Sequence, residues 1–259
     1  MNKLTNYFIK VKESGRKGFV PYIMAGDGGI HTLKEKLNLL ESLGATAIEV
    51  GVPFSDPVAD GPSIQGAGER SRNEGTTIQS ILHELETISP SISVPIILMS
   101  YLNPIYSLGI LEFAKTARKA NVKGVIIPDL SFEESGPFKQ ILNQQEIGLI
   151  QLLSLTSSSN RAKSIIQSSD GFIYVVTVKG ITGARKEILQ SVESLLSEVN
   201  EISPVPVYAG FGISTRQQVT RFQDLCDGAI VGSKIVDCFH QGQINEIKEL
   251  MGVNFPENV

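Results

Sequence analysis

The stretch that decides the fold is Leu33-Lys-Glu-Lys-Leu-Asn-Leu-Leu-Glu-Ser-Leu-Gly-Ala-Thr-Ala-Ile-Glu-Val50. Leucine recurs at helical spacing in its first part, which predicts an amphipathic helix, and Gly44 stands at the expected helix C-cap. The apolar run after Gly44 predicts a short strand buried on both faces, as in a parallel sheet. Helix, glycine and strand form a unit that the rest of the chain repeats.

Eight short apolar runs alternate with segments of helical period, and four of the runs are entered through a glycine. The runs are Phe19–Met24, Thr46–Val50, Pro95–Met99, Gly124–Ile127, Ile147–Leu152, Gly171–Val176, Pro204–Ala209 and Gly228–Val231. Eight such units predict an α/β fold, a (β/α)8 TIM barrel, with an open doubly wound sheet as the structural alternative. An additional N-terminal helix, over about residues 2–13, is expected to cover the bottom of the barrel. Because no linker or composition break interrupts the pattern, we expect one domain over residues 1–259.

The composition is that of a globular chain, with 41% hydrophobic residues, a formal net charge of −4 and a pI of about 5.5. This charge argues against nucleic acid or an anionic membrane as a partner. The N-terminus has no apolar core of signal-peptide length, and no apolar run reaches membrane-spanning length, so we expect a soluble, cytoplasmic protein. Cys226 and Cys238 lack metal-ligand spacing and are predicted to be buried thiols. His31, His83 and His240 are predicted to lie on the surface, and no metal site is expected.

The second predicted strand ends on a carboxylate, Glu49, and the proline-rich loop after it carries Asp56 and Asp60. An ionised Glu among Ala, Ile and Val must be partnered, protonated or placed at a wet pocket, because burial would remove its hydration. Taken singly, Glu49 is equally consistent with a structural ion pair, and the two Asp residues with turn formers. Together, Glu49 and Asp60 on one rigid loop at the carboxyl end of a barrel strand indicate acid–base chemistry.

Three glycine-rich loops follow the last three predicted strands: Gly180-Ile-Thr-Gly183, Gly210-Phe-Gly212 and Gly232-Ser233. Small residues let backbone N–H groups approach an anion, and a helix N-terminus adds its dipole. Each motif alone is typical of a tight turn, but all three together predict a phosphate site at the late strands of a barrel. The segment 178–186 is predicted to be a mobile flap over the ligand, with an ordinary surface loop as the alternative.

Several motifs, in order over nearly the whole chain, match one family. They are Gly18-Phe-Val-Pro-Tyr22, the run from Glu49 to Gln65, Tyr101-Leu-Asn-Pro104, Ile127-Pro-Asp-Leu130, Gly180-Ile-Thr-Gly-Ala184, Gly210-Phe-Gly-Ile213 and Ile230-Val-Gly-Ser233. Together they resemble the tryptophan synthase alpha subunit family. The run from Glu49 to Gln65 is specific to that family, whereas many barrels share the glycine motifs.

The resemblance implies a lyase of tryptophan biosynthesis that cleaves indole-3-glycerol phosphate into indole and glyceraldehyde 3-phosphate. It also implies an alpha2beta2 heterotetramer, in which a beta subunit carries PLP and receives the indole, with no cofactor in this chain. By motif, Glu49 and Asp60 match the catalytic acid–base pair. The other matches are Gly183, Gly212, Gly232 and Ser233 at the phosphate site, Tyr22, Met99, Ile126, Tyr174 and Phe211 around the indole or in the active-site wall, and Thr182 on the flap.

The loop of Asp60 is also the expected contact with the beta subunit. Four of its residues, Pro53, Phe54, Asp56 and Pro57, are expected to be exposed at the barrel mouth beside Ser131.

Two departures from the family pattern concern the same complex. Gly28 stands where the family often has proline, which would loosen the loop after the first strand, and Ser131 also replaces a common proline. The tightness of the complex with the beta subunit is therefore left open.

Two other functions stay open. A sister barrel, such as an isomerase or indole-glycerol-phosphate synthase, would share the phosphate site. The synthase is expected to need a strand lysine, and no predicted strand carries one. A non-catalytic regulatory subunit is disfavoured because Glu49 and Asp60 are both present.

Overall fold

A computed structural model describes residues 2–176, 185–210 and 212–252, with side chains described from residue 191 onward in the helix that begins at Arg185. Its strands are all parallel. They are β1 (Gly18–Met24), β2 (Ile48–Gly51), β3 (Ile96–Met99), β4 (Val122–Ile126), β5 (Gly148–Leu149), β6 (Gln151–Ser154), β7 (Ile173–Val176), β8 (Val207–Gly210) and β9 (Gly228–Val231).

The sheet order is β5-β4-β3-β2-β1-β9-β8-β7-β6. Only Ile150 separates β5 from β6, and its N–H donates to the Val125 carbonyl at 3.0 Å. The two segments therefore act as one bent strand, which pairs with β4 on one side and β7 on the other and closes the sheet. This arrangement confirms the predicted eight-unit TIM barrel and excludes the open doubly wound sheet.

Helices pack on the outside of the barrel, except for α1, which precedes the first strand and covers the bottom. They are α1 (Lys3–Glu13), α2 (Leu33–Ser42), α3 (Pro62–Asn73), α4 (Ile78–Ile88), α5 (Leu102–Leu108), α6 (Ile110–Lys119), α7 (Ser135–Gln144), α8 (Ser159–Ser168), α9 (Arg185–Ile202), α10 (Arg216–Leu225), α11 (Ser233–Gln241) and α12 (Ile244–Met251), with short 3-10 turns at Ile30–Thr32, Ser89–Ser91 and Phe132–Glu134. No described helix is long and apolar enough to cross a membrane.

Alternation along β2 separates two apolar layers. Ile48 and Val50 face outward and belong to the large core between the barrel and its helices. Ala47 faces inward and belongs to the smaller core inside the barrel. Glu49 has the same parity as Ala47, so the strand directs this carboxyl into the barrel interior.

The predicted N-terminal helix is confirmed as α1, which covers the bottom of the barrel. The Phe8 ring packs edge-on against Phe172 and Tyr208, with centroid distances of 4.8 and 5.3 Å. Gly18 and Gly228 make room for Tyr208, because a Cβ on either would lie 2.0 or 2.3 Å from that side chain. We call this apolar end, formed by Leu4, Phe8, Phe172 and Tyr208, the floor.

Several smaller predictions can be compared directly with the structure. Cys226 and Cys238 are buried free thiols, as predicted, and the three histidines are exposed, as predicted. The prediction that no strand carries a lysine was wrong, because β4 begins two residues earlier than expected and includes Lys123. Lys123 lies at the amino end of β4, opposite to the end where Glu49 lies, and donates to Asn121.

The loop after β1 is anchored to α3. Asp27 is buried and accepts two hydrogen bonds of 2.7 Å from the guanidinium of Arg70 on α3. Gly28 and Gly29 have φ angles of +84° and +93°, which glycine adopts without strain. The bidentate pair ties this loop to the helix that directly follows Asp60.

Candidate active site

A cavity of about 400 Å³ opens at the carboxyl ends of the strands. Its lining combines strand ends, the loop after β2 and the start of α11. The lining residues are Tyr22, Glu49, Ala59, Asp60, Gly61, Pro62, Ser63, Ile64, Met99, Tyr174, Gly212, Ile213, Ser214, Gly232, Ser233, Lys234 and Asp237. This is the end of the barrel at which the sequence predicts function. Within the described residues, no group of three or more acidic, His or Cys side chains is placed to hold a metal ion.

Glu49 is the most deeply buried carboxyl of the cavity, with 1% of its surface exposed. Its Oε2 has no hydrogen-bond partner among the residues that the structure describes. Burial, and then the charge of Asp60, raises the pKa of Glu49 to about 8. Glu49 is therefore protonated at neutral pH and can act as an acid.

Two tyrosines stand above Glu49, each facing a glycine. A Cβ on Gly51 would lie 1.9 Å from the Tyr22 hydroxyl oxygen, and a Cβ on Gly210 would lie 2.5 Å from the ring of Tyr174. Glycine at these strand ends therefore lets the two rings lie across the interior. Both rings line the cavity together with Glu49.

Asp60 reaches the cavity from the loop after β2. The loop backbone is held by the Asp60 N–H, which donates to the Pro57 carbonyl at 3.0 Å. Burial raises the pKa of Asp60 to about 6, and a hydrogen bond from the Tyr101 hydroxyl opposes this rise. At neutral pH Asp60 is therefore ionised while Glu49 is protonated, so the environment assigns the two carboxyls opposite starting states.

The glycine-rich side of the cavity lies across from the carboxyls. Gly232 precedes α11, and Ser233 is its first residue, so the first N–H groups of this helix lie at the cavity rim. Gly212 has a φ of +79° and is exposed on the loop after β8. These groups offer N–H donors and a helix dipole to an anion without using a basic side chain.

The structure brings most of the predicted site residues into one cavity. Tyr22, Glu49, Asp60, Met99, Tyr174, Gly212, Gly232 and Ser233 all line it. Ile126 is fully buried in the core inside the barrel, next to Met99 on the neighbouring strand, and does not line the cavity. Thr182, Gly183, Phe211 and most of the predicted flap lie outside the described residues.

The predicted partner surface needs one correction. Of the four residues expected to be exposed, Asp56 is exposed, Phe54 and Pro57 are half-buried, and Pro53 is buried. The expectation for Pro53 was wrong because the chain leaves β2 along the barrel rim, where the Val52 N–H still donates to Met99. Ser131 is half-buried and donates to Glu134.

Sequence reasoning missed several cavity residues. Tyr101 accepts a hydrogen bond from one of them, Ala59, and its position shortly after β3 is a signal that could have assigned it to the mouth. Lys234 follows Ser233 and was overlooked as a basic residue at the phosphate loops; it pairs with Glu246 of α12. Ser63 and Asp237 join α3 to α11 through a hydrogen bond of 2.9 Å, which no sequence pattern indicated.

A closed parallel barrel with a protonated and an ionised carboxyl in one cavity at its mouth defines a class, the (β/α)8-barrel enzymes that work by acid–base catalysis.

The comparisons with known proteins specify the family. The family model for the tryptophan synthase alpha chain matches residues 8–255. A tryptophan synthase alpha chain from Bacillus mycoides is 43% identical over 239 residues, which cover 92% of this chain and 93% of the relative.

Solved structures agree with this match. The tryptophan synthase subunit alpha from Campylobacter jejuni has a TM-score of 0.82 and 32% identity, covering 92% of this chain and 96% of that one. An aminoacrylate-bound form of tryptophan synthase from Mycobacterium tuberculosis has a TM-score of 0.86 and 27% identity, covering 97% of each chain.

The chain belongs to the tryptophan synthase alpha chain family. It is a carbon–carbon lyase of tryptophan biosynthesis, which cleaves indole-3-glycerol phosphate into indole and glyceraldehyde 3-phosphate. The sister-barrel and regulatory alternatives that the sequence left open are therefore set aside.

Proposed function

We propose that Glu49 and Asp60 are the acid–base pair of this cleavage. The observation that carries the proposal is their opposite protonation in one cavity: the pKa of Glu49 is raised to about 8 and that of Asp60 to about 6. Glu49 therefore starts as a carboxylic acid and Asp60 as a carboxylate at neutral pH. We further propose that residues 1–259 work as one barrel domain.

The two roles follow from the bonds that change. Glu49 delivers its proton to C3 of the indole, while Asp60 accepts the ring N1 proton and stabilises the positive charge that develops toward the nitrogen. The bond between C3 and the glycerol chain then breaks. Glu49, now a carboxylate, takes the proton of the 3′-hydroxyl as the aldehyde forms, and Asp60 returns its proton to N1. Both carboxyls end in their starting states.

The phosphate of the substrate would lie at the glycine-rich side of the cavity. We propose that backbone N–H groups near Gly212, Gly232 and Ser233 hold it, together with the Ser233 hydroxyl and with Gly183 on the flap. The N-terminus of α11 favours an anion through its dipole, which supports this placement.

The reaction is tested by mixing the purified chain with indole-3-glycerol phosphate and assaying indole. We expect indole to form, and we expect Glu49→Gln to lower its rate by roughly 100-fold or more while substrate still binds, since the amide keeps the shape but cannot transfer a proton. A Glu49→Gln rate within a few-fold of the wild type would contradict the role of Glu49. Glu86→Gln, an exposed change on α4, is the matched control.

We also propose that the chain works with a PLP-carrying beta subunit, in an alpha2beta2 heterotetramer that passes indole between active sites. The loop of Asp60 supports this, because Asp56 is exposed and Val58 is 84% exposed, an unusual exposure for a large apolar side chain. A partner that binds the closed loop more tightly than the open one would shift the loop toward the catalytic arrangement.

The partner is tested by titrating a cognate beta subunit into the indole-forming assay. We expect activation of the wild type and weaker activation of Asp56→Ala. The matched control is Asp224→Ala, which removes an exposed carboxylate on α10. Absence of activation would contradict the partner proposal, and equal activation of both variants would contradict the role of this loop.

A further inference from the structure

A hydroxyl group that the mechanism above does not use lies beside Asp60. Tyr101 follows β3 and is 3% exposed. Its ring stacks on Phe54, with the ring centroids 5.3 Å apart and the planes inclined by 28°. Ring packing therefore fixes where the hydroxyl lies, at low cost in side-chain entropy.

The Tyr101 hydroxyl is held by the loop backbone directly before Asp60. It accepts a hydrogen bond of 2.9 Å from the Ala59 N–H. Because a backbone N–H can only donate, the hydroxyl keeps its single proton for a second partner, and the carboxyl of Asp60, on the next residue, is the charged group that acts on it most strongly. Burial, and then the charge of Asp60, raises the pKa of Tyr101, so the hydroxyl keeps this proton at working pH.

We propose that Tyr101 is a positioning residue, whose hydroxyl donates a hydrogen bond to one carboxyl oxygen of Asp60. This bond keeps Asp60 ionised and leaves its other carboxyl oxygen directed into the cavity. The proposal rests on the role given to Asp60 under the proposed function. The Oδ1 of Asp60 is buried without a hydrogen-bond partner among the described residues. It is the atom left for the ring N–H of the substrate.

The other titratable groups around Asp60 do not replace this hydroxyl. Glu49 of β2 faces it across the cavity, and the tyrosines of β1 and β7, Tyr22 and Tyr174, lie nearby as neutral groups. Asp129, after β4, faces Tyr101. Lys234 and Asp237 also line the cavity, and Asp237 accepts a hydrogen bond of 2.9 Å from Ser63, three residues after Asp60.

The balance at Asp60 is therefore between two effects. Burial raises its pKa, and the Tyr101 hydroxyl lowers it toward the value of an exposed carboxyl. Removing the hydroxyl leaves the effect of burial unopposed. The Asp60 carboxyl would then lose its proton only at a higher pH.

The test is Tyr101→Phe, which keeps the ring and its stack but removes the hydroxyl. The Asp60 carboxyl is titrated by 13C NMR in the full chain, with its resonance assigned by its absence in Asp60→Asn. We expect the Asp60 titration, and the acidic limb of the kcat/KM profile, to move upward by about one pH unit. We expect kcat to fall more than KM rises, and activity to recover partly as the pH is raised.

Two further variants complete the design. Tyr106→Phe removes the hydroxyl of a tyrosine that is 55% exposed on α5 and should change neither the titration nor the profile. Phe54→Leu keeps the Tyr101 hydroxyl but loosens its ring, and should move the Asp60 titration in the same direction by less.

An unchanged Asp60 titration in folded Tyr101→Phe would overturn the proposal, as would a loss of activity that is the same at every pH. Failure of the proposed function has a different signature: Asp60→Asn would retain activity, while the NMR titration would still report on Tyr101.

Discussion

Carboxyl groups at the two ends of the barrel have different surroundings. Below the floor, the Asp227 carboxylate accepts a hydrogen bond of 2.8 Å from Val207 and pairs with Lys12 at 3.0 Å. At the mouth, the Oε2 of Glu49 is buried without such a partner among the described residues. A buried polar group without a partner costs free energy of folding, so the mouth is less stable than its apolar content suggests.

This difference separates the part of the barrel that stabilises the fold from the part that we assign to chemistry. The floor packs three aromatic rings within 5.3 Å of one another. The mouth instead surrounds an open cavity with two carboxyls whose pKa values differ. Substitutions at the two ends should therefore have separable effects on stability and on activity.

The largest effect is expected from the floor. Phe8→Ala should lower the free energy of unfolding by about 3–5 kcal/mol, because it removes a fully buried ring and leaves a cavity. Urea unfolding measures this, and the specific activity of the folded fraction should stay within about two-fold of the wild type. Leu111→Ala, at a side chain that is 59% exposed, is the matched control. Lost activity at unchanged stability would mean that the floor also shapes the mouth.

The next effect concerns Glu49 and pH. The pKa of Glu49 is raised from 4.5, its value in the unfolded chain, to about 8 in the fold. The contribution of Glu49 to the free energy of unfolding is therefore highest below pH 4.5 and falls as the pH rises from 4.5 to about 8, because the folded protein resists ionisation of this group. Glu49→Gln removes this loss. The variant should be more stable than the wild type at pH 8, by at most about 1.4 kcal/mol for each pH unit between the two values.

Unfolding curves at pH 5 and pH 8 measure the difference. Glu86→Gln again serves as the control and should keep the pH dependence of the wild type. A Glu49→Gln variant with the same pH dependence would mean that the carboxyl finds a partner in solution.

Much of the fold follows from the sequence because the same unit repeats. The spacing of leucines before Gly44 predicts α2 at its observed start, and the run up to Val50 predicts β2 to within two residues at each end. Local periodicity is enough for these elements. Alternation also puts Glu49 on the same side of the strand as Ala47, but only the closed barrel shows that this side is the interior.

The parts of the site that the sequence does not predict depend on contacts between distant segments. The Tyr101 hydroxyl meets Ala59, which is 42 residues away in sequence. Arg70 reaches back 43 residues to Asp27. Pro53 is buried because the chain follows the rim of the barrel after β2, and no local turn pattern predicts this path. Such contacts appear only once the barrel has closed.

A smaller effect tests the phosphate side of the mouth. Gly212→Val should weaken glycerol 3-phosphate binding by about ten-fold, roughly one lost hydrogen bond, because a side chain would intrude among the N–H donors. Gly15→Val is the matched control, since Gly15 has a similar φ of +75° and no atom near the position of a Cβ. Calorimetry measures both, and equal affinities in the two variants would refute the placement of the phosphate at Gly212.

The smallest effect is expected at Lys234, the one basic residue among the described residues that line the cavity. Its ammonium group is engaged by Glu246, and that hydrogen bond raises its pKa, so the head group is held toward α12. Lys234→Met keeps the aliphatic stem at the cavity rim and should change glycerol 3-phosphate affinity by less than about two-fold, an effect typical of a screened surface charge. Glu246→Gln, which releases the ammonium, should likewise leave the affinity and its salt dependence unchanged. A ten-fold loss in Lys234→Met, or tighter binding in Glu246→Gln, would mean that the mouth binds its anion with a side-chain charge rather than with backbone N–H groups.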